Sequence, residues 1–331
     1  MSGRSVAGYN WDAPWNDCRR KWAAENIWQV QALGRGRPLA VGSAIHAGLE
    51  SWYFPATDNQ ATRQIVAIQT ARAYWLSEEA QFPNLAEYED EDLMMIESLL
   101  SGYFERYPSE VWKVLGKPEA EFSICLSCSH ATEYHEVNTL PDGLEAHRNR
   151  FCKVCDDVGG DCTGLSPYTG KIDLLVEWEG KELVVEHKSS GMDATTFFKT
   201  YHLSDQVTGY VWAAKQIYPN VQGALINGLG KGRIAKTKGI AHHWFQRETF
   251  LRTPRDLDRW LRMRRQIRAE REMVIRTWEA AGKPGPDLDS IFYMETESCY
   301  NWGRACQYLE ACLYHWDPTI MKNFYTVGPS A

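Results

Sequence analysis

The stretch KIDLLVEWEGKELVVEHKSSG, Lys171 to Gly191, places Asp173 in one apolar run and Glu186 with Lys188 in the next. Two carboxylates beside an ammonium are costly on a half-buried sheet face unless they pair with one another or hold a cation. A hard divalent ion, Mg2+ or Mn2+, resolves the conflict. Such ions take carboxylates together with waters and phosphate oxygens, and can acidify a water for attack on phosphorus. Lys188 would then orient that nucleophile or stabilise charge building on the phosphate. The same residues equally allow a cross-strand ion pair of Asp173 with Lys188, leaving Glu186 solvated.

A second chemistry lies in Cys125, Cys128, Cys152 and Cys155, which read C-x2-C, a longer loop, and C-x2-C. Two such knuckles close a tetrahedron around Zn2+, and four thiolates leave no open position, so the implied role is structural. Cys162, His130, His135 and His147 are candidates to replace one thiolate. The N-terminus MSGRSVAGYNWDAPW lacks the apolar core of an export signal, so nine cysteines argue for metal rather than disulfides and the expected compartment is the cytoplasm.

The elements that must hold these residues follow from periodicity. A two-residue turn at Gly180 and Lys181 would set Asp173 opposite Lys188 and diagonal to Glu186, with all three side chains on one face. Ile172, Leu174, Val176, Trp178, Leu183 and Val185 would form the apolar layer behind, packed on a helix, with His187 the exception. From Leu39 to about Trp112 the apolar spacing is helical. Short β-like runs follow: AEFSICL, KIDLLVEW, ELVVEHK, VQGALINGL and IAHHWFQRETF. The helical stretch TTFFKTYHLSDQVTGYVWAAKQIY lies among them, so the core is mixed α/β. The expected divisions are a helical region over 1–115, a core over 116–251 interrupted by a cysteine-rich insertion at 125–162, and a helical region over 252–331.

The 331 residues are 44% hydrophobic and 24% charged, the composition of a globular protein, and no apolar run approaches the ~18 residues of a membrane span. A formal charge of −7 argues against coating by nucleic acid over the whole surface, though not against a basic groove. Two segments could supply one: the arginine-rich stretch Arg252 to Trp278 and the loop GKGRIAKTKG. For the first, a solvated helix laced with ion pairs to Asp256, Asp258, Glu270 and Glu272 is the simpler reading.

Gly-Lys-Ile-Asp, a twelve-residue gap, Glu-His-Lys, and then DQVTGYVWAAK together resemble the PD-(D/E)XK nuclease superfamily. More narrowly they look like its RecB-type exonuclease branch, which includes the CRISPR-adaptation nucleases and the AddB nuclease domain. VGSAIHAGLESWY resembles that branch's upstream histidine helix. The resemblance implies a restriction-endonuclease-like mixed sheet with a helical cover, to which the cysteine spacing adds a small zinc-ribbon-like insertion. It implies His46, Asp173, Glu186 and the His187 carbonyl as Mg2+ or Mn2+ ligands, Lys188 as the catalytic lysine, and Gln206 with Tyr210 as DNA-contacting or site-supporting groups. Glu119 or Glu121 could add a carboxylate. One cysteine before the core and three after it, Cys18 with Cys299, Cys306 and Cys312, resemble the ligands of a [4Fe-4S] cluster. Here the gap from Cys299 to Cys306 is longer than in the family's tail pattern, and zinc is the other candidate occupant. The implied activity is metal-dependent exonuclease action on single-stranded or end-frayed DNA, with a helicase or recombination partner and a setting in DNA repair or recombination. The alternatives are an inactive nucleic-acid-binding or assembly subunit and a structure-selective endonuclease.

Overall fold

The structure is a computed structural model, and it describes the chain except for residues 1–8, 56, 58, 117–119, 132–133, 137–149, 153–154, 156–166, 233–241, 289, 302–303 and 328–331. The chain begins with helices α1 (Tyr9–Asp17) and α2 (Arg19–Asn26) and strand β1 (Val30–Ala32). Three longer helices follow: α3 (Arg37–Tyr53), α4 (Gln60–Gln81) and α5 (Glu89–Arg106). Strands β2 (Lys113–Val114), β3 (Ala120–Ile124), β4 (Tyr134–Glu136), β5 (Arg150–Cys152), β6 (Tyr168–Ile172), β7 (Leu174–Trp178) and β8 (Lys181–Ser190) come next. Helices α6 (Ala194–Lys199) and α7 (Asp205–Ile217) lead to β9 (Val221–Gly230) and β10 (Trp244–Leu251), then to the long α8 (Pro254–Ala280). The last part holds β11 (Tyr300–Asn301), β12 (Arg304–Ala305), α9 (Leu309–Leu313), α10 (Pro318–Phe324) and β13 (Tyr325–Val327).

By contacts the chain forms two compact units, one of Gly34–Glu121 and Lys171–Leu257, the other of Met1–Leu33, Phe122–Gly170 and Asp258–Ala331. The first is built on a five-stranded sheet ordered β10-β9-β8-β7-β2. Only β8 and β9 run parallel, and that direction needs a crossover, which α6 and α7 supply. The expected single helix over this crossover is two: Ser204 accepts from the Val207 N–H and starts α7 afresh after an exposed turn. The apolar layer expected behind the site forms, with Leu174, Val176, Leu183 and Val185 joining Leu225 and Leu229 against α3, α4 and α5. Ile172 instead ends β6, which pairs with β3.

The hairpin turn differs from expectation. Trp178 pairs with Lys181, so the loop residues are Glu179 and Gly180, both at positive φ (51° and 72°). Two positive-φ residues make a type I′ turn, whose twist matches the strands, and glycine takes its second place. The pairing therefore moves by two residues. Leu174 lies opposite Val185, which sets Asp173 beside Glu186 and diagonal to Lys188. A shift of two keeps every side chain on its face, so the expected clustering survives the corrected register.

In the second unit the arginines of α8 are not all solvated. Arg264, Arg268 and Arg271 are buried and converge on the fully buried Asp12 of α1, at 3.0, 2.9 and 2.8 Å. Burial alone would raise the Asp12 carboxyl, but the three guanidiniums hold it down at about 2. Outward-facing members of the helix do pair as expected, Arg262 with Asp258 and Arg276 with Glu272. Most of the loop GKGRIAKTKG lies outside the described residues.

Candidate active site

Alternation along β8 sends Glu186 and Lys188 to one face of the sheet and His187 to the other. Asp173 sits at the break between β6 and β7. Its Oδ2 accepts from the His187 backbone N–H at 2.7 Å and lies 3.5 Å from Nδ1 of His46, on α3. Glu186 is buried, with Oε1 at 2.5 Å from the Lys188 ammonium and accepting from Nε2 of Gln206 at 3.3 Å. Gln206 also donates to the Tyr210 hydroxyl at 3.3 Å, four residues along α7. His46, Asp173, Glu186, Lys188, Gln206 and Tyr210 thus form one linked set. Glu121 is exposed and pairs with Lys171 at 3.8 Å; Glu119 lies outside the described residues.

The charges in this set are strongly coupled. Burial pushes the Glu186 carboxyl up, and the neighbouring Asp173 carboxylate adds to it against the pull of Lys188, leaving it at about 7. For Asp173, burial is outweighed by the charge and hydrogen bond of His46, with His187 and Lys188, and the carboxyl lies well below its usual range. Burial would lower Lys188, but Glu186 and then Asp173 hold its pKa above the ordinary lysine value. The second oxygen of Glu186, Oε2, is buried with no hydrogen-bond partner among the described residues. A buried carboxylate oxygen without a donor, next to a second carboxylate, suits an oxygen-binding cation. Among the described residues, His46, Asp173 and Glu186 nevertheless do not close to single-ion spacing.

Behind the site lies a polar group that the sequence reading missed. His187 is buried, its ring stacked on Tyr53 with centroids 5.3 Å apart and planes 10° from parallel. Asn227 of β9 approaches the His187 Nδ1 at 2.7 Å and accepts from Arg247 Nε at 3.2 Å. Arg247 makes a two-pronged pair with Glu110, at 2.9 and 3.1 Å, between the rings of Tyr107 and Trp112. The available signal was one asparagine in the apolar run VQGALINGL and one arginine at an inward position of WFQRETF.

The sulfurs of Cys125, Cys128, Cys152 and Cys155 all lie within 4.8 Å of one another, with Cys125–Cys155 at 3.9 Å and Cys128–Cys152 at 3.7 Å. Ligands about 2.3 Å from a tetrahedral ion stand roughly 3.8 Å apart, so this set has single-ion spacing. The first knuckle turns tightly through Ser129 (φ 62°), and Arg265 of α8 donates to the carbonyls of Leu126 and Ser127 at 2.5 and 2.8 Å. Among the alternative ligands, Cys162, His147 and the side chain of His135 lie outside the described residues. Cys18, Cys299, Cys306 and Cys312 line a single cavity with Lys21 and Tyr308, and they do not close to single-ion spacing. Burial pushes the Cys312 thiol up to about 12 and raises Cys306 as well.

A mixed sheet with a helical crossover brings two acids and a lysine together on an α/β fold, and four thiols elsewhere in the chain have the spacing to hold a single metal ion. The chain belongs to the PD-(D/E)XK nuclease superfamily, whose family model matches residues 15–313. No curated protein matches the sequence. No helix among the described residues is long and apolar enough to cross a membrane.

Proposed function

We propose that this protein is a metal-dependent deoxyribonuclease of the RecB-type branch, acting as an exonuclease on single-stranded or end-frayed DNA. The observation that carries the reading is the buried Oε2 of Glu186, without a hydrogen-bond partner among the described residues, beside Asp173 and Lys188. The donor set for Mg2+ or Mn2+ is His46, Asp173, Glu186 and the His187 carbonyl, and the bound ion supplies charge neutralisation and an acidified water. Lys188, whose pKa is raised, works as a fixed cation and hydrogen-bond donor towards the phosphate rather than as a base. Gln206 holds Glu186 in orientation through Oε1, and Tyr210 supports Gln206 from the next turn of α7.

Zinc is the proposed occupant of Cys125, Cys128, Cys152 and Cys155, with a structural role. For Cys18, Cys299, Cys306 and Cys312, the shared cavity and the wider spacing favour a [4Fe-4S] cluster over a single ion. The proposed setting is cytoplasmic DNA repair or recombination, with DNA ends as the substrate and a helicase or recombination protein as partner.

The test is cleavage of end-labelled single strands and of closed circles with Mg2+ or Mn2+. Wild type is expected to shorten the linear DNA and spare the circles, and Asp173→Ala to leave both intact. Cut circles would make the enzyme an endonuclease, undiminished cleavage by folded Asp173→Ala would reject the site, and DNA binding without metal-dependent turnover would favour an inactive binding subunit. Anaerobic metal analysis with an absorption spectrum reads the thiol sites: iron with sulfide plus about one zinc is expected.

A further inference from the structure

Asn227 stands in register with two residues on neighbouring strands, His187 of β8 and Arg247 of β10, so the three form a row across the middle of the sheet. The hydrogen bonds of this row fix one another's directions up to His187, whose Nε2 is buried with no hydrogen-bond partner among the described residues. Glu110, an acceptor, takes a hydrogen bond from the Tyr53 hydroxyl at 2.6 Å. The Tyr53 oxygen therefore accepts from the Tyr103 hydroxyl at 2.5 Å. Having used its proton, Tyr103 accepts from Arg247 at 2.9 Å and from Asn227 Nδ2 at 2.8 Å. Arg247 Nε has only a proton to offer, so the Asn227 oxygen faces it. The remaining N–H of Asn227 points at His187 Nδ1, which must be an acceptor. His187 is thereby held in the tautomer with its proton on Nε2. Flipping the amide would set an N–H against the arginine, a worse arrangement in a buried place.

The ring of His187 is fixed by this bond and by the stack on Tyr53, and its backbone is what the site uses. The His187 N–H holds Asp173 Oδ2 at 2.7 Å, and its flanking residues are Glu186 and Lys188. Asn227 and Arg247 lie behind the strand, with Asn227 fully buried, and Arg247 is neutralised by Glu110. Neither is a candidate to touch DNA.

We propose that Asn227, backed by Arg247, is a positioning residue of the nuclease site: it locks the His187 ring and so holds the β8 backbone that presents Glu186 and Lys188 and hydrogen-bonds Asp173. This rests on the nuclease reading above, and the test separates the two. Long-range 15N NMR of the metal-free wild type is expected to show the His187 proton on Nε2; a proton on Nδ1 overturns the proposal. Asn227→Asp keeps the shape but replaces the donor by an acceptor. The folded variant is expected to carry the His187 proton on Nδ1, to bind Mn2+ at least tenfold more weakly, and to lose at least tenfold in kcat while KM for DNA stays within twofold. Should Asn227→Asp not fold, Arg247→Lys keeps the charge and frees the amide, and a fall in kcat without a change in KM is again expected. A folded variant that binds Mn2+ and cleaves like wild type overturns the proposal. Wild type that binds Mn2+ but never cleaves nucleic acid sinks the nuclease reading alone, and the NMR and Mn2+ arms still decide the positioning role.

Discussion

At the scale of single residues, the site is a balance of charges that burial would otherwise forbid. Glu186 and Lys188 hold each other, and Asp173 depends on His46 and on the His187 backbone. Lys188→Ala removes the cation proposed to face the phosphate and is expected to lower kcat by roughly a hundredfold or more, in the range of losing one preorganised electrostatic contact, with DNA binding retained in a filter or gel assay. The acids carry a pH signature. Glu186 has a folded pKa raised to about 7, so in metal-free protein its contribution to stability is full below the ordinary glutamate range and is lost as pH rises through about 7. Asp173 has the opposite sign: its pKa is depressed, and its contribution is lost as pH falls. Melting in chelator should therefore shift in favour of Glu186→Gln over wild type as pH goes from 4.5 to 8. A constant difference would mean that Glu186 is not held in its protonated form. Asp173, Glu186 and Lys188 were legible because charges stand out in apolar strands. Asn227 was not, because one amide in a strand announces nothing until its neighbours on two other strands are known.

At the scale of elements, two short features set the geometry. The I′ turn at Glu179–Gly180 decides which residue faces Asp173, and Gly180 sits at φ 72°. Gly180→Ala places a Cβ in a left-handed conformation and should cost about 1–2 kcal/mol, read as a lower denaturation midpoint with unchanged slope. Ser204 starts α7 two residues before Gln206. Ser204→Ala should cost about 1 kcal/mol and loosen the first turn, so activity is expected to fall more than the modest loss of stability explains. The sequence carries the turn glycine, and its helical pattern runs through Ser204 without marking the new start. Its reading still put the hairpin loop one residue late, since Gly-Lys and Glu-Gly are both acceptable two-residue loops and only the twist of the paired strands chooses between them.

At the scale of the whole molecule, neither unit is a continuous segment. The unit holding the proposed catalytic residues is made of two stretches, and the unit holding both cysteine sets is made of three. A chain cut after Leu257 keeps His46, Asp173, Glu186 and Lys188 but loses α8 beyond its first turn, the buried partners of Asp12, and Cys299, Cys306 and Cys312. Limited proteolysis of that truncation should digest Tyr9 to Leu33 and the zinc-proposed insertion rapidly; resistance like that of the full chain would show that the last stretch is dispensable for that unit's fold. The alternation of apolar and charged residues in the hairpin, the C-x2-C pairs and the helical spacing before Trp112 were determined by the sequence alone, because each is a local pattern with its own period. The tertiary structure alone decided that three arginines of α8 turn inward to one aspartate and that Asn227 fixes the His187 ring. Those outcomes depend on pairings between residues far apart in sequence, where burial and the partner across the strand or helix, rather than local propensity, set the energy of each group.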